Sequence, residues 1–472
     1  MLRIYNTLSR RKEEFRPLAP KQVKIYVCGI TPYDSCHLGH ARCYVFFDVV
    51  RRYLEYKGYK VVYIQNITDI DDKIINRAKE MGEDPSSIAS RYTTEYLMYM
   101  DLLNIKRASF YPKVTEHIEK IIKVISELIN KNYAYRIDGD VYFDVERFSD
   151  YGKLSGRGKE ARIAGARVEV DPRKRNPADF AIWKEAKEGE PSWESPWGRG
   201  RPGWHIECSV ISMEYLGDSF DIHGGGVDLI FPHHENEIAL SESYTGEKFA
   251  RYWIHNGFVT INQEKMSKSL GNVFLLKELL DMYSPEIVRF FLLRTHYRSP
   301  IDFTLEKLEQ AKVGLERFYN VFDNINWELR EERMEGSSEE FPPEIAQIYR
   351  RFEEAMDDDF NTALALASLY ELVPWVNNII SKKDKNFEDK ELLRATKGAF
   401  YELGSVLGLF GQIKIALKEQ GEQEEINRLI KEREEARACK DWTRSDIIRN
   451  ELKKRGVILE DTPRGTKWRL QR

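Results

Sequence analysis

Cysteine is scarce: five are spread over 472 residues, at Cys28, Cys36, Cys43, Cys208 and Cys439. An odd, scattered set without framework spacing excludes a disulfide-built scaffold and suits a reducing compartment with free or metal-bound thiols. Long apolar runs are lacking as well. No stretch approaches the roughly 18 uncharged apolar residues of a membrane helix, and the start, MLRIYNTLSRRKEEF, is too charged for a signal peptide. A cytoplasmic location and no membrane partner are therefore expected. Neither charge dominates: 73 Lys plus Arg stand against 77 Asp plus Glu, a formal net charge of -4. Bulk composition thus gives no reason for a nucleic-acid partner, and any such contact must come from a local patch. Residues 431–472 are one candidate, with 13 basic against 8 acidic side chains. No internal repeat is present, and the only biased tract is the acidic run at 332–340, which reads as a solvated loop.

What is there is enough for several domains with real cores. Residues 23–28 (VKIYVC) alternate and are β-branched, a Gly/Pro/Asp/His loop follows, and residues 41–56 have helical spacing. A second apolar strand, VVYIQ, ends at Gln65. Strand, loop, helix and strand form a βαβ unit, so the strands are parallel and ligands sit at their C-terminal ends, where Cys28 and Thr31 fall. Residues 88–129 read as largely helical and 142–174 as mixed, an insertion in the parallel fold. The topology resumes around 220–223, passes the turn Gly224-Gly225-Gly226, and enters a helix with Pro232 in its first turn and Glu237 and Ser241 within it. Beyond about Phe303 the spacing is helical for over a hundred residues, through 363–373 and 403–409. A charged helix or linker at 418–437 then leads to a compact tail holding Trp442 and Trp468. The expected fold is α/β: a doubly wound parallel catalytic domain over 1–310, with an insertion at about 95–200 and a later loop region at about 240–310. A helical bundle over 311–415 and a small C-terminal domain over 416–472 complete it.

Two short constellations carry chemistry. His37-Leu38-Gly39-His40 lies between the first strand and its helix, where oriented N–H groups and the helix dipole favour phosphate and Gly39 lets a base or phosphate approach the backbone. Lys265-Met266-Ser267-Lys268-Ser269 puts two ammonium groups on a hydroxyl-rich loop suited to a triphosphate whose charge redistributes. Taken singly, a structural histidine pair and a solvated Lys/Ser turn explain them as well.

Together the two resemble the signature pair of class I aminoacyl-tRNA synthetases, with Leu38 where isoleucine is usual. The segments YVCGITPYDSCHLGHAR, QNITDIDDKII, RPGWHIECS, FDIHGGGVDLIFPHHENEIA and HNGFVTINQEKMSKSLGN resemble the cysteinyl family of that class, with Pro32 where valine is more usual. The resemblance implies ATP-dependent activation of L-cysteine and its transfer to tRNA(Cys). It places His37, His40, Lys265 and Lys268 in catalysis and His37, Gly39, His40, Asp228 and Lys268 around ATP, Asp228 on the ribose. It also puts Thr31, Thr68, Trp204 and His223 around the amino acid.

The same resemblance implies one zinc ion per chain, held by Cys28, Cys208, His233 and Glu237, and magnesium arriving with ATP. The chemistry agrees: two soft thiolates, an imidazole and a carboxylate are zinc donors, and His233 and Glu237 stand one helical turn apart. By residue type alone, each cysteine is more often a small buried hydrophobe than a ligand. His234 and Glu235 are neighbouring decoys that helix register should turn away. Asp71, Asp72 and Asp69 suit a helix cap, and residues 357–359 suit a helix N-terminus. The tail resembles the family's anticodon-binding domain, with Trp442 and Trp468 either stacking on bases or forming a small core. Absence of a sustained heptad favours a monomer. A related amino-sugar ligase shares the motifs but lacks such a tail, and a silent RNA-binding relative has no physical reason to keep all these residues together.

Overall fold

The computed structural model describes residues 1–157, 172–261, 264–265, 273–329, 342–411, 420–462 and 465–470. The chain forms two compact units, Met1–Leu308 with Glu353–Ala365, and Glu309–Phe352 with Leu366–Arg472.

The first unit is built on β1 (Gln22–Ile30), α1 (Leu38–Tyr56), β2 (Lys60–Ile67), α2 (Trp204–Leu216), β3 (Phe220–Gly226), α3 (Glu235–Thr245) and β4 (Ala250–Asn256). The four strands pair in the order β4-β3-β1-β2, every pair parallel. Their apolar residues are buried nearly throughout, as a sheet covered on both faces requires. Strand order reverses between β1 and β3. A crevice therefore opens at the C-terminal ends of these two strands, the position where open α/β sheets bind ligands. The insertion is an antiparallel four-stranded sheet, Ala134–Ile137, Asp140–Phe143, Phe180–Glu185 and Gly200–Pro202, preceded by helices Pro85–Leu102 and Ile118–Asn130.

Several side chains buried in this unit are held by more than one partner. Asp48 of α1 accepts from Arg289 (2.5 Å), from Arg52 (2.7 Å) and from the backbone N–H of Lys106 (2.9 Å). Arg42, also on α1, reaches the carbonyls of Leu292 and, at 3.0 Å, His296, closing the end of helix Pro285–Leu293. The acidic run 357–359 does not complement a helix N-terminus. It closes helix Pro343–Asp357, and Asp359 is buried, accepting from Tyr5 N–H (2.8 Å), Tyr297 Oη (2.8 Å) and Arg298 Nε (2.7 Å). Three donors converging on one carboxylate outweigh the weaker attraction of a helix end.

In the second unit, helix Phe387–Val406 packs with the body of Leu305–Leu329 around Phe318, Phe322, Phe400 and Phe410, and helix Leu372–Ser381 lies against Phe387–Val406. Each such ring contributes about 1.5–3 kcal/mol by leaving water. The most apolar helical stretch, 362–381, breaks at Glu371 into helices of 9 and 10 residues, each about half the ~20 that cross a bilayer. The tail is a helix pair, Gln420–Ala438 and Trp442–Lys454, and an antiparallel hairpin, Val457–Thr462 with Gly465–Leu470. Ile426, Leu429, Ile430, Ile448, Leu452 and Val457 form its own small core. Trp468 packs against that core, whereas Trp442 is 59% exposed.

Candidate metal centre and nucleotide loop

Four side chains from four pieces of the fold converge beside the strand reversal. Cys28 comes from the end of β1 and Cys208 from the second turn of α2, their sulfurs 4.0 Å apart. Glu237 comes from α3, its Oε1 3.4 Å from Cys28 Sγ and 3.0 Å from Nε2 of His233, one helical turn earlier. All four are buried. A tetrahedral zinc ion with bonds of about 2.3 Å to sulfur and about 2.0 Å to nitrogen or oxygen has edges of roughly 3.8 Å between sulfurs and roughly 3.3 Å between N and O. The spacings match, so the donor set fits zinc in both chemistry and size.

A second quartet shares two members, Cys28 and Glu237 with His223 and His234. His234 Nε2 is 3.2 Å from Cys28 Sγ, so helix register does not turn this ring away. The reason is local: residues Ile230–His234 form a wide π turn with extended backbone at Phe231, and both histidines leave it facing inward. That turn also replaces the expected helix start at Pro232. Two thiolates make the first quartet the better zinc site. In that arrangement the remaining imidazoles become supports. His223 lies 2.8 Å from Glu237 Oε2, leaving Oε1 toward the centre, and His205 Nδ1 lies 2.9 Å from His233 Nδ1. His255 Nε2 similarly lies 2.8 Å from His234 Nδ1. Glu235 is occupied elsewhere, accepting from the backbone N–H groups of Gly152 (2.9 Å) and Ser155 (2.7 Å).

Electrostatics prepare the centre. Burial pushes the Cys28 thiol well up, while its hydrogen bond to Cys208 brings the Cys208 thiol down to about 6. Burial opposes the charge on Glu237, but His223 and His233 hold it well below the usual carboxylate range. Burial likewise opposes a cationic His233, and Glu237 and Cys208 override it, raising the ring to about 10. Burial, with His223 and His255 adding to it, keeps His234 neutral, and burial brings His255 down to about 3.

The other predicted residues surround this centre. Trp204 opens α2 and stacks on His233 with ring centroids 4.1 Å apart. Thr68 is buried just past β2, its Oγ1 accepting from Asn66 Nδ2 at 3.1 Å. Thr31 is half-buried just past β1. His223, expected beside the amino acid, is fully buried against Glu237 and Trp253. Asp228 stands exposed in the short turn Val227–Leu229 after β3.

His37 is the N-cap of α1 and its ring stacks on that of His40, centroids 3.8 Å apart; Gly39 lies between them in the first turn. The backbone N–H of Leu38 donates to Phe274 O (3.2 Å) and that of Leu276 to Cys36 O (2.8 Å). This clamp joins the histidine loop to the segment immediately after the Lys265–Lys268 stretch. The backbone of Glu264–Lys265 pairs with Val259–Ile261, while the side chain of Lys265 and all of Lys268 lie outside the described residues. Sequence reasoning gave no role to Asn66, His205 or His255; each lies inside a segment that carries the resemblance, but only the fold brings them to the centre.

A parallel sheet with a histidine loop at its first helix and a ligand crevice at the strand reversal is the architecture of class I aminoacyl-tRNA synthetase catalytic domains. Residues 14–313 match the family model "tRNA synthetases class I (C) catalytic domain", 351–411 the DALR domain, and 419–469 the "Cysteinyl-tRNA ligase anticodon binding domain". The cysteine–tRNA ligase of Thermodesulfovibrio yellowstonii is 53% identical over 489 residues, covering 100% of both chains. That of Carboxydothermus hydrogenoformans is 54% identical over 471 residues, covering 99% of this chain and 100% of the relative. Among solved structures, Mycobacterium tuberculosis methionyl-tRNA synthetase in complex with methionyl-adenylate shares the fold, with TM-score 0.61, 17% identity and coverage of 82% and 89%. The chain belongs to the cysteine–tRNA ligase family.

Proposed function

We propose that this chain activates L-cysteine with ATP and transfers it to tRNA(Cys), using Cys28, Cys208, His233 and Glu237 to hold one zinc ion. The observation that carries this reading is the buried quartet with zinc-sized spacing at the strand reversal of a class I catalytic fold. A bound zinc ion supplies affinity for a thiolate that the harder, less acidic hydroxyl of serine lacks. Cys28 and Cys208 furnish the soft donors, His223 orients Glu237, and His205 orients His233. Trp204, Thr31 and Thr68 shape the amino-acid pocket. His37, Gly39 and His40 at the N-terminus of α1 receive the phosphates, Asp228 the ribose, and Lys265 and Lys268 neutralise charge as the carboxylate attacks the α-phosphate, with magnesium arriving on ATP. Selection at binding makes a separate editing site unnecessary.

We assign 1–310 to catalysis, 311–415 to the bundle and 416–472 to anticodon contact. The matches at 14–313, 351–411 and 419–469 support that division. The working form is a cytoplasmic monomer. The test is charging of bulk tRNA with radiolabelled cysteine and serine, on zinc-replete and chelator-stripped protein. Cysteine-specific charging that falls on stripping and returns with zinc is expected. Cysteine-dependent pyrophosphate exchange without charging would point to a ligase of another acceptor, such as an amino-sugar.

A further inference from the structure

The first zinc donor stands on an irregular piece of backbone, and side chains hold that irregularity in place. Pairing of β1 with β2 is regular up to Val27 opposite Gln65 and resumes with Ile30 opposite Ile67. Between them, Cys28 and Gly29 face Asn66 alone. An extra residue on one strand is a bulge, rare between parallel strands, and it leaves ladder groups unpaired while re-aiming the side chain it carries. Buried N–H and C=O groups cannot be left without partners.

Both groups of the peptide linking Cys28 to Gly29 are met by side chains. The Gly29 N–H donates to Asn66 Oδ1 at 2.8 Å, and the Cys28 carbonyl accepts from Tyr44 Oη of α1 at 3.3 Å. Asn66 is itself fixed, because its Nδ2 donates to Thr68 Oγ1 at 3.1 Å, and its Oδ1 also lies 3.8 Å from Cys208 Sγ. The fit is tight: a Cβ on Gly29 would fall 1.6 Å from the Asn66 carbonyl oxygen, so no other residue is accommodated without opening the strands. Asn66 and Tyr44 are both buried. Together the two side chains fix the orientation of one peptide plane, and with it the direction in which Cys28 Sγ points.

We propose that Asn66, with Tyr44 opposite, is a positioning residue: it clamps the Cys28–Gly29 bulge so that Cys28 Sγ meets Cys208, His233 and Glu237 at zinc-binding distance. The clamp rests on the zinc reading given above and adds to it a determinant of metal affinity that touches no metal. Asn66 also links the centre to Thr68, so the same residue ties the metal geometry to the amino-acid pocket.

The test is zinc affinity of the full-length chain by competition with a chromophoric chelator, together with the absorption spectrum of the cobalt-substituted protein. Asn66→Ala should weaken zinc by roughly 10- to 100-fold, the usual effect of losing an outer-shell partner, and shift the cobalt bands. Tyr44→Phe, the loss of one neutral hydrogen bond, should cost about fivefold. A folded Asn66→Ala chain with wild-type affinity and spectrum would overturn the clamp. If Asn66→Ala does not fold, Tyr44→Phe decides, and unchanged affinity there overturns the clamp. Failure of the wild-type chain to bind zinc would instead refute the zinc reading itself.

Discussion

His233 Nε2 and Glu237 Oε1 face each other across 3.0 Å, one helical turn apart and out of contact with solvent. A buried imidazole and carboxylate so placed either share a proton or share a cation. If they share zinc with the two thiolates, Glu237→Gln should lower zinc affinity by more than the roughly 10- to 100-fold typical of outer partners. The two overlapping quartets separate in the cobalt-substituted protein. Cys208→Ser should halve the thiolate charge-transfer intensity, whereas His234→Gln should leave metal bound and that intensity intact. The reverse pattern in absorption titrations would transfer the site to Cys28, His223, His234 and Glu237.

Asp48 and Arg289 give a prediction about stability. Burial opposes the Asp48 charge, but Arg289, Arg52 and the Lys106 N–H together hold its pKa below the usual carboxylate value. A depressed folded pKa contributes stability above the unfolded value, near 3.9, and that contribution is lost as pH falls through the lower folded value. Asp48→Asn leaves the Arg289 guanidinium buried without its counter-charge, which should cost about 3 kcal/mol or more. Urea unfolding at pH 7 and at pH 3 checks both parts: the wild-type chain should lose stability between these pH values, and the gap to Asp48→Asn should narrow at the lower one.

The parallel pairing of the first two strands was legible because strand, Gly/Pro/Asp/His loop, helix and strand follow one another as a βαβ unit. The four donors were not legible from spacing, since Cys28 and Cys208 are separated by 180 positions and only the β1–α2 packing joins them. Their assignment came through resemblance. The rest of the centre was hidden for a related reason. His205 and His255 lie on different elements and acquire meaning only by stacking behind His233 and His234, and the π turn that brings His234 inward has no helical periodicity to read. Asn66 was invisible because a bulge is a mismatch between two strands, which neither strand shows alone.

The backbone clamp between the histidine loop and the segment at 274–276 predicts separable defects. His40→Asn and Lys268→Ala each remove a group proposed to meet the phosphates, so cysteine-dependent pyrophosphate exchange should fall about 100-fold or more in kcat. Zinc content should stay at one per chain in both, because neither residue is among the four proposed ligands. Measuring the two quantities on the same preparations distinguishes this from general misfolding, which would lower them together.

Trp204 lies over His233 with ring centroids 4.1 Å apart and an interplanar angle of 26°. In the proposed reading the indole has two roles: it fixes the plane of the His233 ring and forms a wall of the amino-acid pocket. Replacing it with leucine keeps an apolar wall but loses the stacked contact, worth about 0.5–1.5 kcal/mol. If the wall matters chiefly for binding, KM for cysteine should rise by up to about tenfold with kcat little changed, the signature of lost uniform binding. If the stack is needed to hold His233, zinc affinity falls as well and the preference for cysteine over serine narrows with it. Steady-state exchange with both amino acids, run beside a zinc titration of Trp204→Leu, separates the two roles, and the geometry favours the first because His205 still holds His233 from behind at 2.9 Å.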